Sequence, residues 1–314
     1  MTQVYAFCGL RHAKSAGSAY NPVFPRSTRG PRRRPMVAPD SALSDARLAP
    51  PAELAAGLRR LLPDWTVTWL DATASTNADL QQYLRRGGTG PALLGSHAQT
   101  SGRGRAGRPW RTRAGDALLF SCGWQADIPP ARLPPLSLVA GVAACEALSN
   151  LLGSGADGAL ALKWPNDVQW NTAKLAGILV ETVTVPASGR MGLILGIGIN
   201  LRGAAALSQA LGREVADWAQ TGGADDPARL AATVARSWQD AIAGYAAEGF
   251  GPFQARFARW DALYGLPVRV MDNGHVLFEG TARGVDESGK LLVQAADGLR
   301  AVTVGDISVR TAGA

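Results

Sequence analysis

Between Pro51 and Leu62 the apolar positions Leu54, Leu58, Leu61 and Leu62 fall at helical spacing, and Pro63 closes the segment. Thr66–Leu70 reads as a strand, and Ser75-Thr76-Asn77 stands where a helix should start, with Leu80, Tyr83 and Leu84 on one face and Gly87 as its stop. Leu136–Leu152 is almost wholly apolar, set between Pro134-Pro135 and Gly153, and predicts a central helix. Four short apolar runs follow, Ala159–Trp164, Val168–Trp170, Lys174–Thr184 and Met191–Ile199, separated by Pro-Asn-Asp, Asn-Thr-Ala and Pro-Ala-Ser-Gly turns. They predict a meandering sheet rather than strictly alternating βαβ units. Asp226-Pro227 is an N-cap followed by a first-turn proline, and Leu230, Val234, Trp238, Ile242 and Tyr245 form the buried stripe of a helix that ends near Gly249. A further helix runs through Trp260.

After Gly265 the texture changes to short β runs joined by tight turns, among them Asn273-Gly274, Ser288-Gly289 and Asp297-Gly298, which predict a small SH3-like barrel. At 314 residues the chain has room for about two domains. The expected division is a basic tail over 1–40, an α+β domain with a mixed or antiparallel sheet over 41–263, and the small barrel over 264–314. The tail mixes Gly, Ser, Pro and Arg without periodicity, which predicts disorder. It reads equally as a spurious upstream extension, with translation starting at Met36.

Charge and cysteine content narrow the classes. The formal net charge is +7, but seven basic residues (Arg11, Lys14, Arg26, Arg29, Arg32, Arg33, Arg34) and no acid lie before Asp40. The other 25 bases balance 25 acids, so the body carries no excess charge for phosphate-backbone binding, and no specific nucleic-acid partner is expected. Cys8, Cys122 and Cys145 are odd in number and lack a C-x-x-C pair, which argues against a disulfide framework and a cysteine-rich zinc site and predicts a reduced, cytoplasmic protein. Charges, Gly and Pro interrupt the apolar runs before the ~18 residues that span a bilayer, so no membrane segment is expected.

The most charged motif is Gly102-Arg103-Gly104-Arg105-Ala106-Gly107-Arg108, extended by Trp110, Arg111 and Arg113. Glycine admits close backbone approach, and guanidinium groups form bidentate bonds to carboxylate or phosphate. These charges repel one another when no anion is present, which predicts a loop that orders on filling; a solvated surface loop is the alternative. The string also satisfies G-x-G-x-x-G, but Pro109 and a polar stretch follow where a dinucleotide fold needs a helix, and no G-x-x-x-x-G-K-[ST] loop occurs. Lysine is scarce, at Lys14, Lys163, Lys174 and Lys290, and two of the four flank Trp164-Pro165-Asn166-Asp167. A compact point charge suits a phosphorus centre, although strand-end lysines are often simply solvated and Asn166-Asp167 also fits an Asx-turn. His12, His97 and His275 have no metal-ligand spacing and read as structural or solvent-facing. Gly196-Ile197-Gly198-Ile199-Asn200 reads as a buried strand whose glycines admit a close neighbour, whether side chain or ligand.

Taken in order, Ser75-Thr76-Asn77, Gln99, the glycine-arginine string with Pro109-Trp110, Lys163 through Asp167, Lys174 through Glu181, and Gly196 through Asn200 closely resemble biotin protein ligases, the biotin–[acetyl-CoA-carboxylase] ligase family. The resemblance runs from about residue 66 through the C-terminal barrel. It implies a class II synthetase-like α+β domain that makes biotinyl-5′-AMP from biotin and Mg2+-bound ATP, then passes biotin to a lysine of biotin carboxyl carrier protein. By the same resemblance Ser75, Thr76, Asn77 and Gln99 hold the ureido head of biotin. Arg103, Gly104 and Arg105 cover its carboxylate and the α-phosphate, and Arg108 assists at the phosphates. Lys174 stabilises charge at the reaction centre, Trp110 stacks on adenine, Asn200 lies near the nucleotide, and Asp167 meets the incoming lysine. Ala74 departs from the acid that many relatives carry. The single short helix before Thr66 gives no helix-turn-helix, so the resemblance is to the monofunctional type, a monomer or homodimer. A lipoate-protein ligase and a non-catalytic biotin-sensing regulator are the alternatives.

Overall fold

The computed structural model describes residues 48–186, 188–272, 275–303 and 308–311. The basic tail, His12, Cys8 and the Asn273-Gly274 turn lie outside the described residues. The described residues belong to one compact unit, Arg47–Ala314. They form a seven-stranded sheet with helices on it, followed by a five-stranded antiparallel sheet.

Helix α1 (Pro51–Leu61) leads into β1 (Thr66–Thr73), α2 (Thr76–Arg85) and β2 (Ala92–Gln99). Strands β1 and β2 are parallel, Thr73 lying opposite Gln99, so α2 is the crossover of a βαβ unit that the apolar pattern did not reveal. The remaining strands are β3 (Ala117–Ala126), β4 (Leu160–Lys163), β5 (Asp167–Trp170), β6 (Ala173–Thr184) and β7 (Met191–Asn200), all paired antiparallel; β4 to β7 form the expected meander, and β3, which the pattern did not reveal, lies between β2 and β7. The strand order is β1-β2-β3-β7-β6-β5-β4. Helix α3 (Leu136–Leu152) has the bounds that Pro135 and Gly153 mark in the sequence. Its length and apolar composition would suit a membrane span, yet eleven of its residues from Leu136 to Leu148 are buried in the core. It is a core helix, bonded through Ala140 O and Ala143 O to Trp238 and Ser237 of α5 (Pro227–Glu248). A short helix α4 (Ala204–Leu211) precedes α5, and α6 (Gly251–Trp260) follows it.

Period-two alternation assigns the two faces of the sheet their separate tasks. On β7, Leu193, Leu195, Ile197 and Ile199 point into the large core shared with α1, α3, α5 and α6, as do Leu118, Phe120 and Cys122 on β3. The intervening positions, Gly192, Ile194, Gly196 and Gly198, face the opposite side, where α2 packs Leu80 and Leu84 against Ile194 and Val183. This second face carries the cleft described below. Cys122 and Cys145 are buried free thiols, and burial pushes both thiol pKa values up.

The C-terminal strands β8 (Pro267–Asp272), β9 (His275–Val285), β10 (Leu291–Ala295), β11 (Gly298–Val302) and β12 (Ser308–Thr311) are ordered β11-β10-β9-β8-β12. Trp164 donates its indole N–H to Gly289 O, tying this sheet to the turn after β4. The expected division at 263/264 falls between α6 and β8. There Asp261 accepts the Leu263 N–H, while its Oδ2 is buried without a hydrogen-bond partner among the described residues. Burial pushes this carboxyl up to about 6, against the pull of backbone N–H donors from Leu263 and Tyr264. A folded-state value above the unfolded one favours the protonated form. The stabilisation is complete below about pH 4 and is lost as pH rises through 6, amounting to at most roughly 3 kcal/mol. Asp261→Asn is therefore expected to raise the melting temperature by a few degrees at pH 8 and by about half as much at pH 5, where roughly half of the stabilisation is already lost. Equal shifts at the two pH values would remove Asp261 as the source.

Candidate active site

The cleft has a volume of about 530 Å³ and opens on the sheet face that bears glycine. Register places Ser121 of β3, Gly196 of β7 and Leu179 of β6 in one row, and Leu119, Gly198 and Gly177 in the next. A methyl group added at Gly196 would lie 2.2 Å from Asn77 Oδ1, and one at Gly198 would lie 2.6 Å from the Trp110 indole. The Gly-Ile-Gly pattern is thus a close-approach surface for two of the site's own side chains.

At one end stands the N-terminus of α2. Ser75 is the N-cap, extended at φ −163°, yet its hydroxyl makes no capping bond. The Thr76 N–H instead donates to Gln99 Oε1 at 2.8 Å. Ser75, Thr76 and Asn77 are all buried, and all three line the cleft with Gln99. Parallel pairing of β1 and β2 is what brings Gln99 beside this helix start.

At the other end the glycine-arginine string folds back on itself. Gly104 N–H bonds to Arg108 O at 2.7 Å and Trp110 N–H to Gly102 O at 2.9 Å, with Ala106 in the left-handed region at φ 53°. The half-buried Arg105 reaches Asn166 Oδ1 at 3.4 Å, while Arg103 and Arg108 are exposed. Asn166 in turn donates to Ile178 O at 2.7 Å, so its side-chain amide links the arginine loop to β6 rather than closing the local Asx-turn that its position also fits. Strand β6 begins after the Asn171-Thr172 turn, where both residues have positive φ as a type I′ hairpin requires. Lys174, 18% exposed, pairs with Asp167 at 2.5 Å and lies 5.4 Å from the Trp110 ring centroid.

The charge balance of the cleft differs sharply from that of the chain. Arg103, Arg105, Arg108, Lys163, Lys174 and Arg213 line it, opposed by Asp167 as the carboxylate among the described lining residues. Six cations around one carboxylate suit a polyanion.

Residues 82–200 match the Biotin/lipoate A/B protein ligase family, and residues 265–310 match the Biotin protein ligase C terminal domain. The biotin–[acetyl-CoA-carboxylase] ligase of Paracoccus denitrificans is 33% identical over 247 residues, 76% of this chain and 98% of that one. The chain belongs to the biotin protein ligase family. The bifunctional ligase/repressor BirA of Escherichia coli is 32% identical over 79% of this chain and 75% of its own. The biotin protein ligase of Aquifex aeolicus, solved in complex with biotin and ATP, superposes with a TM-score of 0.66 at 26% identity, covering 79% of this chain and 99% of that one.

In this ligase the residues expected from sequence converge on the cleft, with one exception. Asn200 is buried beneath it, its Nδ2 donating to Lys174 O and Ala216 O at 3.2 and 3.0 Å, so the amide braces the base of the Lys174 strand. His97 has both ring nitrogens engaged, Nδ1 by the Trp69 indole and Nε2 by Ala49 O, in keeping with its structural reading. Two residues were not singled out from sequence, Arg213, which lines the cleft, and Ser121, which is buried behind it. Ser121 lies in the unbroken apolar run of β3, where one hydroxyl is the only signal, and Arg213 follows α4, which is too short to show a clear stripe. Among the described residues no three His, Cys, Asp or Glu side chains gather to hold a metal.

Proposed function

We propose how the cleft divides the work of ATP-dependent biotin–protein ligation. The carboxylate of biotin attacks the α-phosphorus of ATP, giving biotinyl-5′-AMP and pyrophosphate, and an acceptor lysine then attacks the mixed anhydride and releases AMP. Ser75, Thr76 and Gln99 receive the ureido head. The apolar side chains of Leu119 and Leu179 flank the tail, directing its carboxylate toward Lys174. Arg103 and Arg105, with Gly104 letting the backbone close in, hold the carboxylate and α-phosphate, and Arg108 and Arg213 meet the remaining phosphates. Trp110, seated on Gly198 and Gly177, offers its face to adenine. Mg2+ would enter with the nucleotide and neutralise part of its phosphate charge, with Asp167 the carboxylate among the described lining residues that would approach it.

Asp167 is the base within reach of the second step. An acceptor amine has an ordinary pKa of about 10.4 and must lose a proton before it attacks. The acceptor is the biotin carboxyl carrier protein of acetyl-CoA carboxylase, and the enzyme works in the cytoplasm as a monomer or homodimer, with no nucleic-acid or membrane partner.

The observation that carries this reading over lipoyl transfer is the buried polar end of the cleft. A dithiolane ring offers no N–H or C=O, and would give the Ser75 hydroxyl, the outward lone pair of Thr76 and Gln99 Nε2 no partner in the ligand, whereas a cyclic urea satisfies them. Incubation with ATP and a carrier domain is expected to give a streptavidin-reactive band with biotin and no lipoyl mark with lipoate. The reverse pattern would overturn the assignment. Gly198→Ala is expected to raise the KM for ATP about tenfold by unseating Trp110, with the KM for biotin within threefold. An unchanged ATP KM would detach Trp110 from the nucleotide.

A further inference from the structure

We infer that Ser121 and Glu181, neither of which lines the head of the biotin site, set the polarity of that site by fixing which way each hydrogen bond in it runs. The inference rests on the biotin reading above and concerns how the ureido head is told from a close imitation.

The chain of bonds has one consistent direction. Asn77 Nδ2 lies 2.8 Å from the Glu181 carboxylate and 3.4 Å from Leu179 O, and a carboxylate and a carbonyl both accept. The amide must therefore turn its NH2 to them and its Oδ1 toward β3. Ser121 Oγ is 2.5 Å from that Oδ1, which can only accept, so the single proton of the serine is committed there. Thr76 Oγ1 is 2.6 Å from Ser121 Oγ and 3.3 Å from Gln99 Oε1, both able to accept; the serine has no second proton, so threonine donates, and it does so along the shorter contact. What Thr76 presents to the cleft is then a lone pair. Gln99 is fixed separately, because its Oε1 takes the Thr76 backbone N–H and leaves Nε2 as the group free to donate. The head of the site thus pairs one acceptor with one donor, the complement of an adjacent N–H and C=O on a cyclic urea.

Ser121 and Thr76 are almost wholly buried, so water cannot supply the missing partner if the relay breaks. With Ser121 replaced by alanine the Thr76 hydroxyl is released to rotate and donate, and the site loses its preference for an N–H. Both residues are positioning residues, acting on the ligand only through Asn77 and Thr76.

The test is steady-state biotin-dependent ATP–pyrophosphate exchange by the full chain, with biotin and with its cyclic carbamate analogue, in which a ureido N–H is replaced by oxygen. Ser121→Ala and Glu181→Met are expected to raise the KM for biotin about tenfold to a hundredfold, with kcat within threefold and melting temperatures near the parent's. Glu181→Gln, whose Oε1 can still accept, falls between. The preference of the parent enzyme for biotin over the carbamate is expected to shrink at least tenfold in Ser121→Ala, because a freed hydroxyl can donate to the ring oxygen. Folded Ser121→Ala and Glu181→Met enzymes with biotin KM within twofold of the parent, or with kcat lowered at constant KM, would overturn the relay. Parent enzyme that exchanges pyrophosphate with lipoate and not with biotin would overturn the biotin reading itself, and the relay with it.

Discussion

Replacing Lys174 with methionine is expected to leave the fold intact and to slow biotin-dependent pyrophosphate exchange about 10²- to 10³-fold, the usual cost of removing one preorganised donor from a charge-developing centre. In the first step an anion approaches a polyanion, and charge accumulates on the α-phosphoryl oxygens. The Lys174 ammonium is a compact charge held in place before substrate arrives, 2.5 Å from Asp167 and 18% exposed. Its backbone is fixed by a tight turn on one side and by the Asn200 amide on the other. Methionine keeps much of the apolar stem and removes only the charge. Asp167 is 27% exposed, so it can take up water when its partner is lost. Arginine is expected to rescue poorly, because a planar guanidinium cannot occupy the place of a point charge beside the Trp110 ring. The measurement is exchange rate at saturating biotin and ATP, with thermal unfolding as the control for folding. A folded Lys174→Met enzyme with the parent's rate would take this residue out of the chemistry.

How much of this was legible in the sequence depends on how local each feature is. Helix α3 and the long helix α5 were readable because proline, aspartate and glycine punctuate them and their apolar spacing is unbroken. Strands β2 and β3 were not, since a central strand buried on both faces has no alternation to betray it, and β3 reads as Ala-Leu-Leu-Phe-Ser-Cys. Missing β2 also hid the parallel pairing that sets Gln99 against α2. The cleft residues inside short motifs, from Arg103 to Trp110 and from Lys163 to Lys174, could be named because their chemistry and spacing survive in one dimension. The Asn77 bonds to Ser121 and Glu181 span 44 and 104 residues, and nothing in the chain announces a partner at such a distance. Gly196 and Gly198 sit between these cases: their need for a close neighbour was visible, and the identity of that neighbour was not.

Arg105 is expected to decide whether the reactive intermediate stays in the cleft. Among the lining arginines of the loop it is the half-buried one, and its guanidinium reaches Asn166, whose amide is bonded to Ile178 O next to Gly177. A mixed anhydride hydrolyses when water enters, and a guanidinium bonded to both its carboxyl and phosphoryl oxygens holds it while closing the loop over it. Arg105→Ala removes charge-assisted bonds of about 1.5–3 kcal/mol, which corresponds to roughly tenfold to hundredfold weaker retention. The adenylate then escapes before the acceptor lysine arrives. The expected result is continued pyrophosphate release with far fewer biotins delivered per ATP consumed, and diffuse labelling of a bystander protein added at high concentration. Arg108→Ala, altering an exposed side chain further along the same loop, is expected to leave the coupling within about threefold of the parent's, because solvent already screens that charge. The discriminating quantity is the ratio of carrier biotinylation to pyrophosphate released. If Arg105→Ala lowers both in proportion, the residue serves adenylation alone, and retention of the intermediate must be assigned to another part of the loop.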